Sequence, residues 1–220
     1  MRVLVSGGNS NLGKAIRWRF EQAGYDVWYT VTDASKANGK HAIVVDLTDE
    51  KQVNEVFQDF GPVDVLVNNA GVFTEGQQDS LATELFDQVF DLNVRGLFFL
   101  TRALLKGIKE VDGSIVNISS MNALRPGFGT TAHYDASKGA VSAYTRSLAA
   151  ETGLRVNAIA PGLIGCDRLE GSDLETYWKG HTVRQEMMKA SELADTVLFL
   201  AQSRGIYGQT LLVDNGFMLR

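Results

Sequence analysis

Short β-branched runs separated by longer stretches of helical period constrain this chain more than any other feature. Seven strands are read at 2–5, 27–31, 42–45, 63–67, 114–118, 155–160 and 209–213. Between them, 13–23, 49–59, 81–109, 134–152 and 191–202 carry apolar residues at three- and four-residue spacing, as an amphipathic helix requires. The strands are nearly continuous apolar runs, such as Val63-Asp64-Val65-Leu66-Val67, rather than the alternating pattern of a sheet with one wet face. Strands of that kind need helices on both sides. The expected fold is α/β, a Rossmann-like doubly wound parallel seven-stranded sheet in a three-layer αβα sandwich.

Hydrophobic residues make up 45% of the 220 and charged residues 21%, with 22 glycines and only 3 prolines, which excludes disorder, collagen and low-complexity scaffolds. A chain of this size buries roughly 70% of the surface it exposes when unfolded, so one core needs no staples. No linker or fixed-period repeat divides it, and a single domain over 1–220 is expected. Two stretches are expected to be least ordered. One is 32–40, where a crossover helix could stand; the other is 163–189, which lacks a clean period and reads as a lid over a site. Cys166 has no partner for an intrachain disulfide, and the first apolar run is too short for a secretory signal, so a cytoplasmic setting is expected. No run approaches the ~18 apolar residues of a membrane span. The net charge of -5 and the scattered basic residues disfavour nucleic acid as a partner.

The first strand runs into Ser6-Gly7-Gly8-Asn9-Ser10-Asn11-Leu12-Gly13, followed by a helical stretch that Gly24 closes. Strand, glycine turn and helix start in that order make an anion site. Bare backbone admits a pyrophosphate to the helix N-terminus, where free N–H groups and the dipole favour negative charge. A glycine-rich turn that only tightens helix on strand would look similar. The spacing resembles the T-G-x-x-x-G-x-G loop of the short-chain dehydrogenase/reductase family, with Ser6 in the Thr place and Asn11 in the middle Gly place. Asn tolerates positive φ better than most residues, so the turn is expected to survive that departure.

Tyr134-Asp135-Ala136-Ser137-Lys138 sets a phenol and an ammonium four residues apart, on one helix face. Hydride exchange at an alcohol carbon needs a partner for the hydroxyl proton, and a free Tyr with a pKa near 10 holds its own too tightly. Lowering it to about 7 takes roughly 4 kcal/mol, which a neighbouring Lys charge in a partly dry site can supply. Alone, this spacing usually means only a half-buried ring beside a solvated charge. Upstream, the strand at 114–118 ends in Ser119-Ser120, at the edge where open α/β sheets place ligands, so Ser120 can hydrogen-bond a substrate oxygen. The family resemblance implies a catalytic tetrad of Ser120, Tyr134, Lys138 and Asn93, the last in Leu92-Asn93-Val94-Arg95-Gly96. Asn68-Asn69-Ala70-Gly71, Pro161-Gly162, Gly208-Gln209 and Val213-Asp214-Asn215-Gly216 follow the family order, so the resemblance covers essentially the whole chain.

Carried over residue by residue, the resemblance implies that Gly7, Asn9, Ser10, Asn11, Leu12 and Gly13 line the pyrophosphate and adenosine ribose. It likewise implies Asp46 and Leu47 at the adenine, Asn69, Ala70 and Gly71 on the adenosine side of the sheet, and Pro161, Gly162 and Ile164 at the nicotinamide. Tyr134 and Lys138 would also serve the cofactor, Lys138 through the nicotinamide ribose. Cys166 stands where the family commonly has Thr. The implied cofactor is NAD or NADP. Val31 occupies the usual acid place after the second strand, Thr32 the usual base place, and Asp33 follows one step late; the reading leans to NAD. No metal site is expected.

The function expected from these features is NAD(P)-dependent hydride transfer between nicotinamide and a secondary alcohol or ketone carbon, with Tyr134 as acid/base. The alternative is a catalytically silent cofactor-binding regulator of the same fold. The expected partner is a small carbonyl or alcohol substrate, with Phe73, Met121, Arg125, Phe128, His133, Leu163, Tyr177 and Trp178 as candidate pocket residues. Each is by itself as readily core or lid packing, and Arg125 as readily a solvated loop residue. Ala136, Ala140, Ala143, Ser147 and Ala150 permit close helix approach, and the resemblance implies a homodimer or homotetramer.

Overall fold

The computed structural model describes residues 1–37, 39–127 and 129–220. Among them the sheet has seven strands: β1 (Arg2–Val5), β2 (Asp26–Val31), β3 (Ala42–Val44), β4 (Val65–Asn68), β5 (Ser114–Ile118), β6 (Arg155–Pro161) and β7 (Thr210–Val213). All pair in parallel, in the order β3-β2-β1-β4-β5-β6-β7. The helices are α1 (Asn11–Gln22), α2 (Glu50–Phe57), α3 (Thr83–Phe90), α4 (Leu97–Glu110), α5 (Ala132–Thr152), α6 (Asp173–His181) and α7 (Ala190–Gln202).

Strand alternation feeds two cores. Val3, Val5, Val65, Val67 and Val116 face Ile16 and Phe20 of α1 and Leu193 and Val197 of α7. Leu4, Leu66 and Ile115 face the opposite way, onto Val53 of α2, Leu100 and Leu104 of α4 and Leu148 of α5. Burying a side chain of this size stabilises by about 1.5–3 kcal/mol, so both faces of the sheet are held by apolar packing. The doubly wound sandwich read from the sequence is thus the observed one.

Strand order reverses beside β1, whose neighbours are β2 and β4. A crevice opens there past the strand ends, where open α/β sheets bind their ligands. Ser10 caps α1, its Oγ accepting from the Gly13 N–H at 3.0 Å, and so fixes where the glycine loop ends and the helix begins.

The stretch read as one helix over 81–109 is α3 and α4 joined by a π-helical turn, Asp91–Gly96. Apolar spacing does not register the one extra residue that such a turn accommodates. Among the described residues of 32–40 there is no crossover helix but a 3-10 turn at Ala34–Lys36 that Asp33 caps. Residues 163–189 are more regular than their pattern implied, holding a 3-10 turn, Asp167–Leu169, and α6. Trp178 is the buried residue of α6, too little apolar surface to reveal a period.

Candidate active site

The loop after β1 is shaped by close approach. Gly7 takes φ +63°, and a Cβ there would lie 2.9 Å from the Ala70 Cα. A Cβ on Gly8 would strike the Tyr29 side chain at 2.5 Å, and one on Gly13 would lie 2.9 Å from the Gly8 Cα. Asn11 does not need the positive φ expected of it: it is the first residue of α1, with helical backbone, and Gly7 makes the turn. A side chain is therefore tolerated in the middle-glycine place.

Beside this loop lies a cleft of about 410 Å³, lined by Gly7, Asn9, Ser10, Thr32, Leu47, Asn69, Ala70 and Gly71 among others. Asn69 closes its floor, its Nδ2 donating to the carbonyls of Ser6 at 2.9 Å and Gly7 at 3.0 Å. Three expected residues fall elsewhere. Asp46 is exposed and its carboxylate accepts from Thr48 N at 2.9 Å, which turns the chain without reaching the cleft. Gly13 is buried beneath the loop, and Asn11 reaches the segment after β6, donating from Nδ2 to the Gly165 carbonyl at 3.1 Å. Asp33, read as a candidate ribose partner, accepts from Ser35 N at 2.8 Å instead. Lys36 does line the cleft. Sequence reading missed it, because a lysine in a loop without period carries no positional signal.

Leu12, Asn69, Gly71, Ser120, Tyr134, Lys138, Pro161, Gly162 and Ile164 line a second cavity, so the ends of β4, β5 and β6 and the start of α5 bring these predicted residues together, with Asn93 behind it. Lys138 is 5% exposed; its Nζ donates to the Ile118 carbonyl at 2.9 Å and stands 5.9 Å from the Tyr134 ring centroid. Burial lowers the Lys138 pKa to about 8. The Tyr134 phenol is pushed up by burial, against the pull of its hydrogen bond to Ser120. Lowering of Tyr134 by Lys138 was the sequence expectation. Desolvation instead raises the phenol, with the Asp135 charge adding to it, and the Lys138 ammonium is itself desolvated and turned to a backbone carbonyl.

Asn93 lies in the π-helical turn, 1% exposed. Its Oδ1 accepts from Val72 N at 2.8 Å, and its Nδ2 donates to the Val72 carbonyl at 3.0 Å and to Ser137 Oγ at 3.1 Å. Ser137 Oγ in turn donates to the Tyr134 carbonyl at 2.7 Å, so Asn93 is tied to the helix that carries Tyr134 and Lys138. A Cβ on Gly71 would lie 3.0 Å from Asn93 Oδ1 and 3.4 Å from Lys138 Nζ, which is why bare backbone passes there.

Past Ser120 and Tyr134 opens a cavity of about 330 Å³, lined by Phe73, Met121, Leu163, Ile164, Leu174 and Trp178, with Cys166, Glu75 and Arg168 also on its wall. Of the other candidate pocket residues, His133 is buried with Nε2 2.7 Å from Thr74 Oγ1. Tyr177 stacks on His181 at 4.0 Å. Arg125 lies over the Phe217 ring at 5.0 Å rather than free in solvent, and Phe128 is outside the described residues. Phe217 stacks on Trp178 at 4.1 Å and 8°, so the chain end backs the α6 wall of the cavity.

The model of the family described as enoyl-(acyl carrier protein) reductase matches residues 7–218. The chain is 34% identical over 242 residues to 3-oxoacyl-(acyl-carrier-protein) reductase of Thermotoga maritima, covering 98% of this chain and 97% of that one. It is 33% identical over 244 residues to 2-(R)-hydroxypropyl-CoM dehydrogenase of Xanthobacter autotrophicus, again over 98% and 97%. The chain belongs to the short-chain dehydrogenase/reductase family. Among solved structures of similar fold, the blue fluorescent protein from a metagenomic library, in complex with NADPH, superposes with TM-score 0.90 at 31% identity, over 98% of this chain and 97% of that one. As a short-chain dehydrogenase/reductase the chain is a nicotinamide-dependent oxidoreductase, its cofactor NAD or NADP, acting on alcohol and carbonyl carbons. The relatives are named as dehydrogenases and reductases, which leaves the silent regulator without support. Among the described residues no helix is long and apolar enough to cross a membrane.

Proposed function

We propose that this chain interconverts a compact, largely apolar ketone and its secondary alcohol, using NADP. The observation that carries the reading is that Tyr134 and Ser120 line both the cavity that shares Asn69 and Gly71 with the glycine-loop cleft and the cavity walled by Phe73, Met121, Leu163 and Trp178. The glycine cradle fits a pyrophosphate: Cβ atoms at Gly7 and Gly8 would fill it, and the first turn of α1 faces it. A bound nicotinamide would supply or accept the hydride. Gly7, Asn9, Ser10, Thr32, Leu47, Asn69, Ala70 and Gly71 would hold the adenosine half, and Pro161, Gly162 and Ile164 the nicotinamide half.

In this reading Ser120 orients the substrate oxygen, and Tyr134 moves a proton to or from it. Lys138 and Asn93 support that exchange from behind, Lys138 by charge and Asn93 by fixing α5 through Ser137. Residues 163–189 serve as the lid of a single domain, excluding water during the exchange. Lys36 favours NADP over the NAD towards which the sequence leans, since it is a cation on the adenosine cleft and Asp33 is occupied by its turn. The exposed small-residue face of α5, with Phe98 39% exposed beside Tyr144, favours a homodimer or homotetramer.

The test is NADPH consumption with a panel of compact ketones, run beside a binding titration. Turnover of apolar ketones lost in Tyr134→Phe is the expected result. NADPH binding with no turnover of any carbonyl would overturn it in favour of the silent regulator.

A further inference from the structure

Two separate parts of the chain enclose the cofactor cleft: the glycine loop running into α1, and the segment that leaves β6 at Pro161. They are joined side chain to backbone. Asn11 Nδ2 donates to the Gly165 carbonyl at 3.1 Å across 154 positions of sequence. On the far side of the same residue, the Gly165 N–H donates to the Met188 carbonyl at 2.9 Å, and Ile164 and Met188 form an isolated parallel bridge. Gly165 thus connects Asn11 to both ends of residues 163–189, the entry at Ile164 and the exit at Met188.

The two anchors differ in rigidity. Asn11 starts a helix packed through Ile16 and Phe20 into the core that also holds α7. Gly165 precedes Cys166, which lines both the substrate cavity and a neighbouring polar cavity of about 620 Å³ that Asn11 also lines. A thiol is a weak hydrogen-bonding group. The polar contact that holds the Gly165–Cys166 peptide against the cofactor loop is therefore the Asn11 amide.

We propose that Asn11 is a positioning residue: its side chain holds the Gly165–Cys166 peptide, and through it residues 163–189, in place over the dinucleotide cleft. It acts on the lid and, through the lid, on cofactor affinity. The proposal rests on the reading of the cleft as a nicotinamide-dinucleotide site, but its first readout does not.

Hydrogen exchange of the cofactor-free protein tests it directly, with Asn11→Ala and with Asn11→Ser, which keeps a good helix start yet is too short to reach Gly165. Both variants are expected to exchange the Gly165 and Met188 region roughly three- to tenfold faster, the worth of one neutral hydrogen bond, with β1, β4 and β5 unchanged. NADPH affinity, followed by its fluorescence, is expected to weaken by a similar factor. Unchanged exchange at Gly165 overturns the proposal. Faster exchange throughout the sheet overturns it equally, since Asn11 would then be serving the fold alone. Wild-type protein that binds neither NADPH nor NADH would overturn the cofactor reading, while the exchange result still judges Asn11.

Discussion

Lys138 donates to the carbonyl of Ile118 at 2.9 Å, so its ammonium is held at the end of β5, beneath the site, instead of reaching solvent. Burial depresses its pKa from 10.5 to about 8. Between those values the unfolded chain binds more protons than the folded one, so this residue makes stability rise with pH across that window. Relative to Lys138→Met, the wild type is expected to gain about 3 kcal/mol from pH 8 to above 10, from about 1.36 kcal/mol per unit. Urea unfolding of both proteins across the window checks it; parallel curves would show that Lys138 is not desolvated.

Tyr134 is the acid/base of the proposed reaction, and Phe at its place keeps the ring that packs against Phe73 at 4.9 Å. Turnover by Tyr134→Phe is expected to fall by about a hundredfold or more, and NADPH affinity by much less, because the proton donor is lost while the ring and the rest of the cofactor lining stay. Retained turnover would reassign the proton to another group. The cofactor-free phenol is raised by burial, so its ultraviolet titration is expected to lie above that of an exposed tyrosine.

The strands and the doubly wound class were legible because a parallel sheet writes itself as apolar runs, and the meeting of Ser120, Tyr134 and Lys138 because each stands at a fixed place on a strand end or helix face. What was not legible depended on approach between distant segments. The π-helical turn around Asn93 leaves no mark on apolar period. The Asp46 carboxylate accepts from Thr48 N, and Lys36 lines the cleft from the 3-10 turn that Asp33 caps, neither of which sequence spacing contains. The electrostatic state of Tyr134 was misread for a related reason: desolvation is set by the packed site, which sequence spacing does not contain.

Gly13→Ala separates close packing from conformational freedom. Gly13 is not among the positive-φ glycines, yet a Cβ would crowd the Gly8 Cα and the Gly7 carbonyl. Overpacking of that kind costs about 1–3 kcal/mol, and moving the loop to relieve it would disturb the pyrophosphate cradle. Thermal unfolding is expected to occur at lower temperature and NADPH binding to weaken at least tenfold. Full affinity in this variant would place the dinucleotide away from the loop.

Lys36 and Asp33 stand three residues apart and would favour different cofactors, the cation NADP and a ribose-bound carboxylate NAD. Lys36 faces the cleft, whereas Asp33 is turned to Ser35 N and holds the 3-10 turn that presents Lys36. A charge-assisted contact to the extra phosphate of NADP is worth about 1.5–3 kcal/mol, and solvent exposure of Lys36 reduces that to the lower end. Lys36→Ala is therefore expected to weaken NADP binding by about tenfold while leaving NAD unchanged. If Asp33 instead held the ribose, Asp33→Asn would weaken NAD binding selectively. As a turn residue it is replaced by an amide whose oxygen still accepts from Ser35 N, so both cofactors should bind nearly as in the wild type. Parallel titrations of both cofactors with the two variants decide between these assignments, and a selective loss of NAD in Asp33→Asn would return the preference to NAD.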